Sequence, residues 1–304
     1  MTSHTNTSTY ENKSTINQNT EDNNSDTLLN PEGISTNSGN RNEKSRKVKS
    51  YSFIRTFWII PPGIICYLFN EFIAEPLAPD GLNKKDNVTV TDTEKILFEW
   101  KNISTSLLHS SVQSILTFIC IYYAYQKGKG FNLFSIKNIW TQEIRYATII
   151  FSITVGYFIY DTLDMAVRAR EQLTWVIIAH HVISTSIVYF MLIQENYHWF
   201  GIIGMLFEVH SVVYHIKNLI EMTEENKSFD NKTYLFFTIL NYLFWLIFRI
   251  GTNTIIAYKV IKSRRSCENK YVLFFWYFMV FIFYIINFDL LRKIVCGDLE
   301  TFKV

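Results

Sequence analysis

Between residues 53 and 295 the chain carries seven apolar runs, each about 20 residues long, separated by short polar stretches. A helix of about 20 apolar residues matches the hydrocarbon thickness of a bilayer. Inside that layer the backbone must satisfy its own hydrogen bonds. Composition agrees, with 48% hydrophobic residues, 16% aromatic and only 18% charged. The chain therefore reads as an all-α polytopic membrane protein. The runs fall at 53–74, 107–125, 144–167, 174–193, 199–220, 233–258 and 271–295. Pro61 and Pro62 should kink or break the first. About six residues separate the third from the fourth, so these two should pack as an antiparallel hairpin. The second ends in a glycine stop with basic charge, residues 126–130.

Residues 1–50 are rich in Asn, Ser, Thr and Glu, and too poor in large apolar side chains to fold alone. They hold N-x-S/T triplets from Asn6, Asn12 and Asn23 that arise readily by chance in so Asn-rich a tail. A basic cluster follows: Arg41, Lys44, Arg46, Lys47 and Lys49. Its plain role is to hold the tail on the cytoplasmic side. Its sharper role is contact with anionic lipid headgroups over residues 41–49. The expected division is a polar tail at 1–50, a first membrane segment and loop at 51–101, the main transmembrane domain at 102–298, and a short tail at 299–304. The first 50 residues have no secretory signal character, so the first membrane helix should target the chain.

Positive charge orients the spans. The basic tail, Lys127, Lys129, Lys137 and the stretch 259–270 share one side if seven helices cross. Sequons at Asn87, Asn102, Asn226 and Asn231 then fall in luminal loops, while Arg168, Arg170, Arg292 and Lys293 land against the rule. A net charge of +2 is too small to suggest nucleic acid as a partner, and none is expected. The four cysteines, Cys66, Cys120, Cys267 and Cys296, form neither a C-x-x-C pair nor a disulfide framework.

The chemistry concentrates at membrane depth. His180 and His181 interrupt the fourth run, where an ionisable group costs about 2–3 kcal/mol or more unless it faces protein. On the third run Tyr157, Asp161, Asp164 and Arg168 follow steps of four, three and four, one helical face. On the fourth, His180 leads Ser184 and His181 leads Thr185. On the fifth, Glu208, Ser211 and His215 align, with His210, Tyr214 and Lys217 beside them. On the sixth, Asn241, Trp245, Arg249 and Asn253 align. Adjacent histidines point about 100° apart, so one should face a central pocket and the other should grip a neighbouring helix. Such stripes can simply pair across helices, Arg249 with Glu208 or an aspartate. The same groups suit proton transfer, a histidine with an acid beside it. A metal would need three converging ligands, and His180, Glu208 and His215 are at hand, yet no helical H-x-x-x-H signature appears.

Gly156-Tyr157-Phe158-Ile159-Tyr160-Asp161, Ala179-His180-His181-Val182, Leu206-Phe207-Glu208 with Ser211, then Asn241, Phe248-Arg249-Ile250 and residues 287–297 occur in this order. In that order and spacing the chain resembles the TLC-domain family of ceramide synthases, translocation-associated membrane proteins and small TLC domain-containing proteins, the last most closely. The resemblance spans residues 102–297. It implies a barrel of about six helices around a lipid-accessible polar cavity, within a total of six to seven transmembrane helices. It also implies residence in the endoplasmic reticulum, with the plasma membrane as alternative. Ceramide synthases pair their double histidine with two acids three residues apart; here those places are Glu208 and Ser211, so the second acid is missing. In the small subgroup a proline and an asparagine usually follow; here Val212 and His215 stand there, and Lys217 takes a basic position.

The resemblance implies His180, His181 and Glu208 as catalytic candidates, and the polar stripes supply Tyr157, Asp161, Ser184, Ser211, Lys217, Asn241 and Arg249 as cavity residues. The expected function is lipid handling: a lipid or acyl chain bound in the cavity, in the service of membrane lipid homeostasis. The alternatives are an acyltransferase using acyl-CoA as substrate, with Arg249 as anion anchor, and a non-enzymatic partner in translocation or trafficking. No bound cofactor is expected.

Overall fold

The computed structural model describes residues 56–79, 90–126, 140, 144, 146–168, 172–194, 196–223 and 232–301. The basic cluster at 41–49, the basic residues Lys127, Lys129 and Lys137, Arg170, and the sequons at Asn87, Asn226 and Asn231 lie outside them. In order, the elements are α1 (Ile60–Phe69), continued by a π-helical turn (Asn70–Ala74), α2 (Val90–Gln126), α3 (Ala147–Arg168), α4 (Gln172–Gln194), α5 (His198–Gly204) and α6 (Phe207–Thr223). Then come α7 (Lys232–Phe244), a second π turn (Trp245–Gly251), α8 (Thr252–Lys262), a 3-10 turn (Arg264–Ser266) and α9 (Lys270–Thr301). Five helical stretches are long and apolar enough to cross a membrane: Thr93–Gln126, Ala147–Val167, His198–Thr223, Lys232–Lys262 and Lys270–Leu299. At 23 residues, α4 is about 35 Å long and also long enough.

The helices close on themselves. α3 and α4 form the expected hairpin and pack along their lengths. α2 bridges α3 and α6, α6 leans on α7, and the π turn and α8 pack on α9. Phe190 of α4 meets Phe275 of α9 with ring centroids 6.0 Å apart, which closes the ring. The outer surface is apolar, as a lipid solvent requires. Ile115, Phe118 and Tyr122 of α2, Ile239, Leu243 and Leu246 of α7 and its π turn, and Phe274, Phe281 and Phe288 of α9 are all exposed.

Pro61 and Pro62 do not break the first helix; they begin it. They sit at its first positions, where the missing N–H groups would have no intrahelical acceptor. The helical stretch Ile60–Ala74 is shorter than a typical span. It packs closely against α3. A Cβ on Gly156 would fall 2.3 Å from the carbonyl oxygen of Ile59 and 3.1 Å from the Pro62 side chain.

The second helix begins at Val90, far before residue 107. By apolar pattern alone, residues before 107 read as connection. Tertiary contacts anchor them about three turns into the helix, where Lys101 pairs with Glu71 at 3.3 Å and Glu75 at 2.8 Å and the Trp100 indole donates to the Ala74 carbonyl at 2.9 Å. Asn102 is therefore a helix residue and not a loop sequon. The fifth apolar run is divided at Met205 and Leu206 into α5 and α6, after Gly201 and Gly204, two poor helix formers. The sixth is relaxed by the second π turn.

Candidate functional site

The two histidines of α4 separate as helical geometry demands. His180 lines an internal cavity, while His181 turns to α3 and places Nδ1 2.8 Å from Oδ2 of Asp161. The other carboxylate oxygen of Asp161 accepts from the Asn102 side chain at 2.7 Å. Asp161 thus ties α2, α3 and α4 together, and the His181 ring lies over Phe158 at 5.0 Å. Tyr157, one turn before Asp161, shares a hydrogen bond with Ser106 at 2.8 Å and stacks on His109 with centroids 3.9 Å apart.

On the opposite wall the break in the fifth run puts Glu208 in the first turn of α6. A carboxylate there benefits from the positive end of the helix dipole. Ser110 of α2 donates to it at 2.8 Å. The π turn carries Arg249, whose guanidinium donates to Ser211 Oγ at 2.8 Å and to His210 Nδ1 at 3.2 Å. No ion pair joins Arg249 to Glu208 among the described residues; the position where ceramide synthases hold a second acid instead supplies Ser211 as a neutral acceptor for the arginine. The guanidinium also sits 5.6 Å from the centre of the Phe207 ring, within cation–π range. π turns recur at functional sites because the inserted residue re-aims a side chain.

His180, Ser184, Glu208 and Arg249 share one cavity. It is a slot with a polar end and an apolar end. Along α4 its wall runs from His180 through Ser184, Ile187 and Val188 to Met191, eleven residues or about 16 Å. Phe200, Ile256, Trp276, Met279 and Val280 complete the mainly apolar end, where Asn253 also lines the slot and donates to the Val280 carbonyl at 3.3 Å. The free space is narrow, about 80 Å³, enough for several waters but not for a whole lipid. Met191, Met205 and Met279 line it, and methionine side chains rearrange readily around a guest. Gly204 also lines it, and a Cβ there would meet nothing within 4 Å.

The other expected cavity residues take other places. Tyr157, Asp161 and Ser211 stand behind the wall, holding His109, His181 and Arg249. Asn241 is fully buried in α7 and does not line the slot. Lys217 belongs to a separate cluster: it pairs with Asp298 of α9 at 2.8 Å and with Glu221, while Tyr234 and Tyr242 donate to Asp298 at 3.3 and 2.7 Å. Among the described residues no group of three or more His, Cys, Asp or Glu is arranged to hold a metal ion, so His180, Glu208 and His215 do not form one.

The largest feature missed in the sequence is the inward face of α2. Asn102, Ser106, His109, Gln113 and Thr117 follow steps of four, three, four and four, the same signal that marked the other stripes. The apolar residues between these positions keep the mean hydropathy high enough for the run to read as plain membrane helix, although Asn102, His109 and Gln113 are themselves strongly polar.

One family model and three relatives match a large part of the chain. A family model described as "TLC domain" matches residues 99–296. TLC domain-containing protein 2 of Danio rerio is 27% identical over 155 residues, covering 51% of this chain and 58% of that protein. TLC domain-containing protein 1 of Homo sapiens is 23% identical over 154 residues, with the same two shares. TLC domain-containing protein 4 A of Dictyostelium discoideum is 23% identical over 216 residues, 70% of this chain and 78% of that protein. The chain thus spans little more than half the length of the first two relatives.

Proposed function

This chain belongs to the TLC-domain family, and we propose that it is a multi-pass lipid-handling protein that takes an acyl chain into the slot between α4, α5, α8 and α9. The observation that carries this is the polarity gradient along one narrow cavity. Glu208, Arg249 and His180 stand at one end, and Met191, Phe200 and Trp276 at the other. An acyl chain has the same form, with a polar carbonyl at one end and hydrocarbon behind it. Arg249 would hold the carbonyl oxygen or an attached anionic group, and the methionine-lined end would yield to the chain. Membrane lipid homeostasis, in the endoplasmic reticulum or at the plasma membrane, is the role this binding would serve.

The test is mass spectrometry of lipid retained by the full chain after gentle purification. The wild-type protein should hold an acyl lipid, and Gly204→Val should lose it at least tenfold while remaining folded, because the new side chain occupies slot volume. Wild-type protein that retains no acyl lipid above an unrelated membrane protein would reject the proposal.

A second reading, acyl transfer, is favoured by one observation: His180 and Glu208 face the same slot. His180 would take the proton of an attacking hydroxyl or amine as its bond to the thioester carbonyl forms, and would return that proton to the sulfur as the C–S bond breaks and the thiol leaves. Turnover of acyl-CoA by wild-type protein, lost in His180→Ala, would support it. Unchanged turnover in that variant would remove it.

A further inference from the structure

The inward face of α2 is polar over most of a membrane's thickness. Its first part is paired: Asn102 with Asp161, Ser106 with Tyr157, Ser110 with Glu208. Its second part is not. Nε2 of His109, both amide atoms of Gln113, Oγ of Ser114 and Oγ1 of Thr117 have no hydrogen-bond partner from the protein, nor has Oγ of Ser152 on the adjacent α3. These are deeply buried side chains: Gln113 and Thr117 are 0% exposed, His109 3%, Ser152 3% and Ser114 7%. A buried polar atom without a partner loses its hydration with nothing in return, and six of them weigh heavily against the marginal stability of a folded domain. Clusters of this kind are ordinarily completed by internal water, each molecule making about three hydrogen bonds.

Water cannot enter through the lipid-facing side, so it must come from an end of the row. The two ends differ. At one, Lys101 meets Glu71 and Glu75, and Glu75 is half exposed. At the other, Cys120, one turn beyond Thr117 on α2, is buried in the apolar core. We propose that α2 lines a hydrated well that opens beside Glu71, Glu75 and Lys101, passes Glu208 at Ser110 and ends at Thr117. From Lys101 to Thr117 it would run about 24 Å, against a hydrocarbon core of about 30 Å. No α2 residue lines the acyl slot. Glu208 therefore stands between two compartments of opposite character, the slot on one side and the well on the other, and the well gives it proton exchange with bulk water. The well stands on the α2 geometry and does not depend on what the slot binds.

The test uses the full chain in lipid nanodiscs, with its four native cysteines replaced by alanine. Single cysteines are placed by Gln113→Cys, Thr117→Cys and Val112→Cys, the last on the exposed lipid face. The probe is a charged, membrane-impermeant methanethiosulfonate, which reacts with the thiolate, a form that needs hydration. Gln113→Cys should label at least tenfold faster than Val112→Cys, and Thr117→Cys should follow it. Labelling of Gln113→Cys no faster than Val112→Cys overturns the well. A second measurement guards against misfolded cysteine variants: Gln113→Leu and Thr117→Val in the otherwise native chain. If these groups are hydrated, melting temperature is unchanged or falls. If they are dry orphans, removing them raises it, and a rise overturns the proposal.

Discussion

Oδ2 of Asp161 lies 2.8 Å from Nδ1 of His181, whereas His180, its neighbour in sequence, faces the slot. Two adjacent and chemically identical residues thereby hold different positions. His181 is bound to the frame, and His180 meets whatever enters.

That division separates two substitutions. His181→Ala should destabilise the fold by about 1–3 kcal/mol, because the buried Asp161 carboxylate loses a partner. His180→Ala should leave stability nearly unchanged and act on lipid retention or turnover. Thermal melting alongside retained-lipid analysis of both variants checks this. Equal melting losses for the two would contradict it.

Arg249→Met should lower retained acyl lipid at least tenfold, since it removes the cation at the polar end of the slot. It should also cost about 1–3 kcal/mol, because His210 and Ser211 lose their donor. Arg249→Lys should restore charge but not the two-point contact, so retention should recover only in part. Full retention in Arg249→Met would show that the arginine is purely structural.

Lys217 and Asp298 join α6 to the C-terminal end of α9, and both side chains are almost completely buried. Asp298→Ala should destabilise by about 3 kcal/mol, the low end for breaking a buried pair, because Lys217 keeps Glu221 as a partner. Lys217→Met combined with Asp298→Leu should recover part of the loss. Thermal unfolding of the single and double variants measures the coupling, and strict additivity would mean that the pair is not a unit.

Gly156→Ala should loosen α1 from α3. The new methyl meets backbone at Ile59, which cannot swing aside as a side chain can. The expected loss is about 1–3 kcal/mol. Limited proteolysis between α1 and α2 should accelerate, and an unchanged cleavage rate would place the contact elsewhere.

No glycan should be attached at Asn102, whose amide is committed to Asp161 inside a helix. Endoglycosidase treatment should cause the same gel shift in wild type and Asn102→Gln. A smaller shift in the variant would mean that this segment is not helical in the cell.

Much of this was legible from residue order alone. Apolar length specified membrane helices, the short connection specified the α3–α4 hairpin, and helical rotation required His180 and His181 to diverge. These are local properties, carried by residues within a few turns of one another. What only the tertiary structure decided is the set of partners: His181 with Asp161, Arg249 with Ser211 and His210, Lys217 with Asp298. Periodicity tells which face of a helix is polar but not which neighbour that face meets. The helix irregularities were decided the same way. The helix that starts at Val90 is held where Lys101 meets Glu71 and Glu75, and Glu208 and Arg249 reach the slot because α5–α6 breaks and α7–α8 relaxes where they pack. Those are energies of contact between distant segments, and no stretch of the chain contains them by itself.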